Sequence, residues 1–152
     1  MRIFLSLIIL FLSSSVIAEN TPGAEGENPF ILIARIHIKE GKTEAYLNIA
    51  NEVDEAVEAS EPGMLLHTFD RDPADPQGFV WTEVYENSEA LIFHLNNADL
   101  GAYLEAVSPL LDVFTVELYG AVSDEAVAAL RATGTPTTHY PNVLGYMRDL
   151  TP

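Results

Sequence analysis

Hydrophobic and polar positions alternate along the chain in two different rhythms. Residues 30–38 (FILIARIHI) are β-rich and apolar at both parities over their first half, which predicts a strand with little polar surface. Gly41-Lys42-Thr43 punctuates it. Tyr46, Ile49, Ala50, Val53 and Val57 then recur on one helical stripe, with Glu44, Asn48, Glu52, Glu55 and Glu58 outside it. Pro62-Gly63 stops that helix. Residues 64–71 and 79–86 read as a second and a third strand, joined as a hairpin by the turn-forming Asp72-Pro73-Ala74-Asp75-Pro76-Gln77-Gly78. Asn87-Ser88 suits a helix start, and Leu91, Leu95, Leu100, Tyr103, Leu104 and Val107 continue an apolar stripe with a bend expected near Asn96-Asn97. Residues 113–119 read as a fourth strand.

The order β-α-β-β-α-β predicts an α+β, ferredoxin-like antiparallel sheet with both helices on one face. The free face of such a sheet is ordinarily polar. Here the first strand sets Ile31 and Ile33 on one parity against Leu32, Ala34, Ile36 and Ile38 on the other, and the third sets Phe79, Trp81 and Tyr85 against Val80 and Val84. A sheet apolar on both faces needs a second cover, and a copy of itself supplies one, so a homodimer packed sheet to sheet is expected.

Both ends add to this unit. Met1-Arg2, the apolar run of residues 3–12, Ser13-Ser14-Ser15 and Val16-Ile17-Ala18 follow the pattern of a cleavable signal peptide cut after Ala18. Export to a periplasm or beyond is expected, with no stable membrane insertion after cleavage; an uncleaved anchor is the alternative. Residues 19–28, rich in Gly, Pro, Asn and Glu, read as a flexible leader. Residues 29–120 form the domain, and residues 121–152 an extension. In the extension Ser123-Asp124 starts a short helix that Gly134 ends, residues 135–141 run extended, and residues 143–147 are expected to add a strand. Covering a sheet edge or the dimer seam is one role for it, and a lid carrying His139 and Tyr140 over a pocket is the other.

Composition narrows the chemistry. At 152 residues the chain is one domain's worth, and 23 acids against 7 Lys+Arg (net −16) argue against nucleic acid and anionic surfaces as partners. The absence of cysteine excludes disulfides, thiolate metal sites and a cysteine nucleophile. His37, His67, His94 and His139 share no ligand spacing, so no metal is expected.

Glu61-Pro62-Gly63, Arg71-Asp72-Pro73 with Asp75-Pro76, Phe79-Val80, Glu83-Val84-Tyr85-Glu86, Glu89-Ala90-Leu91 and His94-Leu95 stand in the order and spacing of the antibiotic biosynthesis monooxygenase domain. Over roughly residues 30–120 the chain resembles this family of dimeric α/β barrels, which includes YgiN-like quinol monooxygenases. The resemblance implies oxidation of a small electron-rich aromatic, a quinol or phenol, by O₂ with no cofactor. Such a reaction needs an apolar pocket with one or two polar groups, one of them near neutral pKa. The alternative is a non-catalytic exported dimer that binds a small hydrophobic ligand.

By the resemblance His94 is the candidate base; a histidine that pins its helix by hydrogen bonding is the other reading. Tyr85 stands where many relatives carry Trp. Trp81 and Tyr85 could clamp a flat ring, with the Tyr85 hydroxyl as donor, or could be core. Glu83 is an acid inside an apolar strand and needs a partner; Arg35 is the expected one, either as a structural pair or to orient a substrate hydroxyl. Haem-degrading relatives place Asn, Trp and His where this chain has Ala34, Tyr85 and Glu105, which disfavours that activity. A Pro-His-aromatic stretch common after His-Leu is replaced here by Ala98-Asp99-Leu100.

Overall fold

The computed structural model describes residues 28–146; the expected signal peptide, its cut after Ala18 and all but the last residue of the leader lie outside the described residues. Strand β1 (Phe30–Ile38) leads into helix α1 (Thr43–Ser60), the hairpin β2 (Met64–Arg71) and β3 (Gly78–Tyr85), helices α2 (Ser88–Leu95) and α3 (Ala98–Val107), and strand β4 (Leu111–Tyr119). The extension contributes α4 (Asp124–Ala132) and β5 (Thr137–Tyr140). The fold is the α+β, ferredoxin-like arrangement that the periodicity predicts. Its five strands form an open sheet in the order β2-β3-β1-β4-β5, antiparallel except for β5, which runs parallel to β4.

Local chemistry sets the boundaries. Asn87 caps α2 by accepting from the Ala90 N–H, Asn97 caps α3 by accepting from Asp99, and Ser123 caps α4 by accepting from Ala126. The expected bend at Asn96-Asn97 is therefore a true break between two helices. The strand expected at residues 143–147 is not found at 143–146, where Val143 and Leu144 are almost fully exposed; Met147 lies outside the described residues. The strand forms earlier. Val116 donates to the Pro136 carbonyl and Gly120 to that of Tyr140, and Pro141 has no N–H with which to continue the ladder.

The register assigns every strand residue to a face. On the inner face Phe30, Leu32, Ala34, Ile36 and Ile38 of β1 and Phe79, Trp81, Glu83 and Tyr85 of β3 are all buried. The helices supply Tyr46, Ala50, Val53, Val57, Leu91, Leu100, Tyr103 and Val107 to the same core. On the outer face Leu66, Val84, Ile31, Tyr119 and Tyr140 form one row across all five strands, with Tyr119 and Tyr140 stacked at 4.8 Å. Ile31, Leu66 and Tyr140 in that row are more than two-fifths exposed. The next row, Thr68, Thr82, Ile33, Glu117 and Thr138, is mostly polar. No helix of the described residues is long and apolar enough to cross a membrane.

Candidate functional site

Helix α2 follows β3 after a turn of two residues, so its apolar face lies on the inner side of the sheet. Leu91 and His94, three residues apart, share that face and are both buried. The turn after α1 closes from the other side. A Cβ added at Gly63 would stand 2.7 Å from the Ala90 Cβ, so only glycine lets this turn approach α2 so closely. The approach delivers Glu61, the C-cap of α1, to His94, whose Nδ1 lies 2.8 Å from Glu61 Oε2. Asn97 Nδ2 donates to the other carboxylate oxygen. Burial pushes the His94 imidazole down, but the hydrogen bond to Glu61 and the charges of Glu83 and Glu61 outweigh it and leave it raised. Burial likewise pushes Glu61 up, and bonding to His94 and Asn97 more than reverses this. Both shifts favour an imidazolium–carboxylate pair.

Between this pair and the sheet lies a cavity of ≈ 40 Å³. The sheet gives it Leu32, Ala34, Trp81 and Glu83; α2 and α3 give Leu91, His94, Leu95, Leu100 and Leu104. Glu83 and His94 are the titratable groups of an otherwise largely apolar wall. An apolar cavity needs roughly 150 Å³ to take a benzene ring, so this one must open to admit an aromatic.

Of the residues singled out from sequence, His94, Trp81 and Glu83 meet at this cavity. Tyr85 is fully buried one step behind it: its hydroxyl donates to Glu83 Oε2 at 2.7 Å and its ring stacks on Phe30 at 5.4 Å. Burial and the neighbouring Glu83 charge raise its pKa well above the ordinary value. Trp81 donates its indole N–H to the Tyr46 hydroxyl at 2.6 Å, and burial holds Tyr46 up at about 12. Arg35 is the correction. It does not pair with Glu83 but with Glu117, at 3.2 Å on the outer face. Glu83 stands opposite Leu32, whereas Arg35 stands opposite Val80, so the two point to opposite sides of the sheet.

The hydrogen-bond partner of Glu83 is Tyr85, and a further neighbour is one that sequence reasoning missed. His67 Nε2 lies 3.6 Å from Glu83 Oε1, and His67 Nδ1 lies 2.8 Å from Asp54 Oδ1 on α1. Asp54, His67 and Glu83 thus lie in a row from a half-exposed carboxylate to the cavity, although neither His67 ring nitrogen meets hydrogen-bond geometry. Glu61 and Asn97 were missed as well; the capping signal at Asn97 was visible, its second role was not. His139 binds the Gly120 carbonyl through Nε2 at 2.9 Å, and Tyr140 stacks on the outer face, so neither covers this cavity. Among the described residues no three His, Asp or Glu side chains converge as a set that could hold a metal ion.

The profile of the antibiotic biosynthesis monooxygenase family matches residues 29–106. The uncharacterized protein sll1783 of Synechocystis is 28% identical over 103 residues, 68% of each chain. A candidate antibiotic biosynthesis monooxygenase of Caulobacter crescentus superposes with a TM-score of 0.60 at 19% identity, over 62% of this chain and 90% of its own. MupZ of Pseudomonas fluorescens does so with a TM-score of 0.64 at 18% identity, over 80% of this chain and 95% of its own. At these identities the structural likenesses are likenesses of fold.

Proposed function

The chain belongs to the antibiotic biosynthesis monooxygenase family, and on that premise we propose that it oxidises a small electron-rich aromatic, of quinol or phenol type, with O₂ and without a cofactor. The observation that carries this reading is His94: a buried imidazole oriented by a carboxylate, lining an apolar cavity. In the neutral imidazole, with Nδ1–H held by Glu61, the other ring nitrogen, Nε2, is left to take a phenolic proton. The resulting anion is electron-rich, and the apolar wall keeps water from competing for it. For a quinol the overall change is quinol + O₂ → hydroxyquinone + H₂O, in which the substrate supplies all four electrons. Trp81 forms part of the platform for the ring. Glu83, held by Tyr85, faces the substrate hydroxyl.

The reading extends to assembly and address. Two copies pack through their outer faces, as the apolar row from Leu66 to Tyr140 supports. The N-terminal pattern ending at Ala18 supports export.

Oxygen uptake tests the activity. The metal-free protein with a panel of quinols, catechols and anthrones is expected to consume O₂ above autoxidation. His94→Ala is expected to slow this by about 10²- to 10⁴-fold. A flat trace across the panel would overturn the enzyme and favour the ligand-binding alternative.

A further inference from the structure

A second chamber adjoins the first. Its volume is ≈ 330 Å³, and it shares four wall residues with the inner cavity: Leu104, Phe114, Thr133 and Thr135. These four form a neck. Two of them, Thr133 and Thr135, come from the C-terminal extension, well beyond the family match at residues 29–106. Leu130, from the same extension, also lines the inner cavity. The outer chamber adds Ser108 and Asp112 together with Leu111 and Val113, so a vestibule of mixed polarity stands in front of a more apolar interior.

The loop part of the neck, Thr133 to Thr135, is tied mainly to itself. Thr133 Oγ1 donates to the Leu130 carbonyl at 2.7 Å, lies 2.9 Å from Thr135 Oγ1 and accepts from the Thr135 N–H at 3.2 Å. Between them Gly134 has φ +84°, and a Cβ there would meet nothing within 4 Å. Its glycine therefore serves the backbone turn and not packing. Short-range hydrogen bonds around a left-handed glycine leave this loop room to move as far as Pro136, whose carbonyl is held by the Val116 N–H of β4.

We propose that the vestibule is the access route and a second binding subsite of the cavity, with the loop Thr133-Gly134-Thr135 as its gate. This rests on the proposed function above and deepens it by naming the ligand class. The ligand is longer than one ring: an apolar aromatic end passes the neck toward His94, and an uncharged polar substituent stays among Ser108, Asp112 and the two threonines. Anionic substituents are disfavoured by Asp112 at the mouth and by the acidic chain as a whole.

Trp81 is the only tryptophan of the chain and lines the inner cavity, so its fluorescence reports access without any turnover. The test is quenching of Trp81 in the full chain by acrylamide, a small neutral probe, with oxygen uptake measured in parallel. Thr135→Phe, which fills the neck, is expected to lower the quenching constant at least threefold. Thr133→Ala, which removes the loop's ties, is expected to raise it about twofold, and it keeps the test decisive should the bulkier variant not fold. Quenching unchanged in the folded variants would overturn the gate, whether or not oxygen is consumed. Quenching that follows the neck while every quinol gives a flat oxygen trace would uphold the gate and overturn the monooxygenase reading.

Discussion

The two faces of the sheet each carry a carboxylate paired with a cationic side chain, and the pairs behave differently. On the inner side His94 and Glu61 are almost wholly buried, at 2.8 Å. On the outer side Arg35 and Glu117 meet at 3.2 Å with the arginine side chain half exposed. Hydrogen bonding raises Arg35 and lowers Glu117, but both are charged at neutral pH regardless. The inner pair is different, because a histidine's ordinary pKa lies close to neutral pH and this one is raised by its partner. There the same kind of contact decides the protonation state of a group that lines a cavity. A charge pair becomes chemistry when one member titrates near working pH and water is kept away from both.

Breaking the pairs one at a time measures this contrast. Glu61→Ala leaves His94 and Asn97 without their partner in the interior, and is expected to cost about 3–5 kcal/mol in chemical denaturation. On the outer face the larger effect concerns association. Ile31→Glu puts a charge into the exposed apolar row and is expected to weaken the homodimer by about 100-fold, seen as a fall to monomer mass in light scattering at micromolar concentration. A native chain that is already monomeric under those conditions would end the dimer proposal.

Titration sharpens the inner half. His94, raised above its ordinary 6.5, contributes stability in full below that value and loses it as pH climbs through the folded-state pKa. Glu61, held below its ordinary 4.5, contributes in full above 4.5 and loses it as pH falls through its lowered value. The stability gap between the native chain and His94→Gln is therefore expected to be widest between these two ordinary values and to close on the alkaline side. Oxygen uptake is expected to rise on that same side, as Nε2 becomes a free base. Glu61→Gln should shift the rise to lower pH, which a purely structural role would not do. The smallest effect belongs to Arg35→Ala, expected to cost no more than about 1 kcal/mol and to cost less in high salt.

The elements were legible because each apolar stripe keeps one period: four of the five stripe residues expected for α1 are its buried ones, Tyr46, Ala50, Val53 and Val57. Partner choice across the sheet was not legible. Arg35 and Glu83 look complementary, yet which parity of β1 meets which parity of β3 is fixed by register, and both strands are apolar on both faces. His94 was legible through its motif, whereas its partner Glu61 lies 33 residues away and reads in sequence only as the end of a helix. The cavity's remaining wall comes from Phe114 and Val116 of β4 and from Leu130, Thr133 and Thr135 of the extension, whose short polar loop carries no pattern beyond a helix stop.

The two borders of the sheet have a consequence for how copies of this protein meet. One border is β2, where the register slips between Met64 and Leu66 and shortens the regular edge to Leu66–Arg71. The other is β5, only four residues long and bracketed by Pro136 and Pro141. Both borders are thus short templates for another chain to pair with strand by strand. Short edges on both sides leave the outer face, with its apolar row, as the broader surface for the proposed pairing of two copies, two sheets laid face to face.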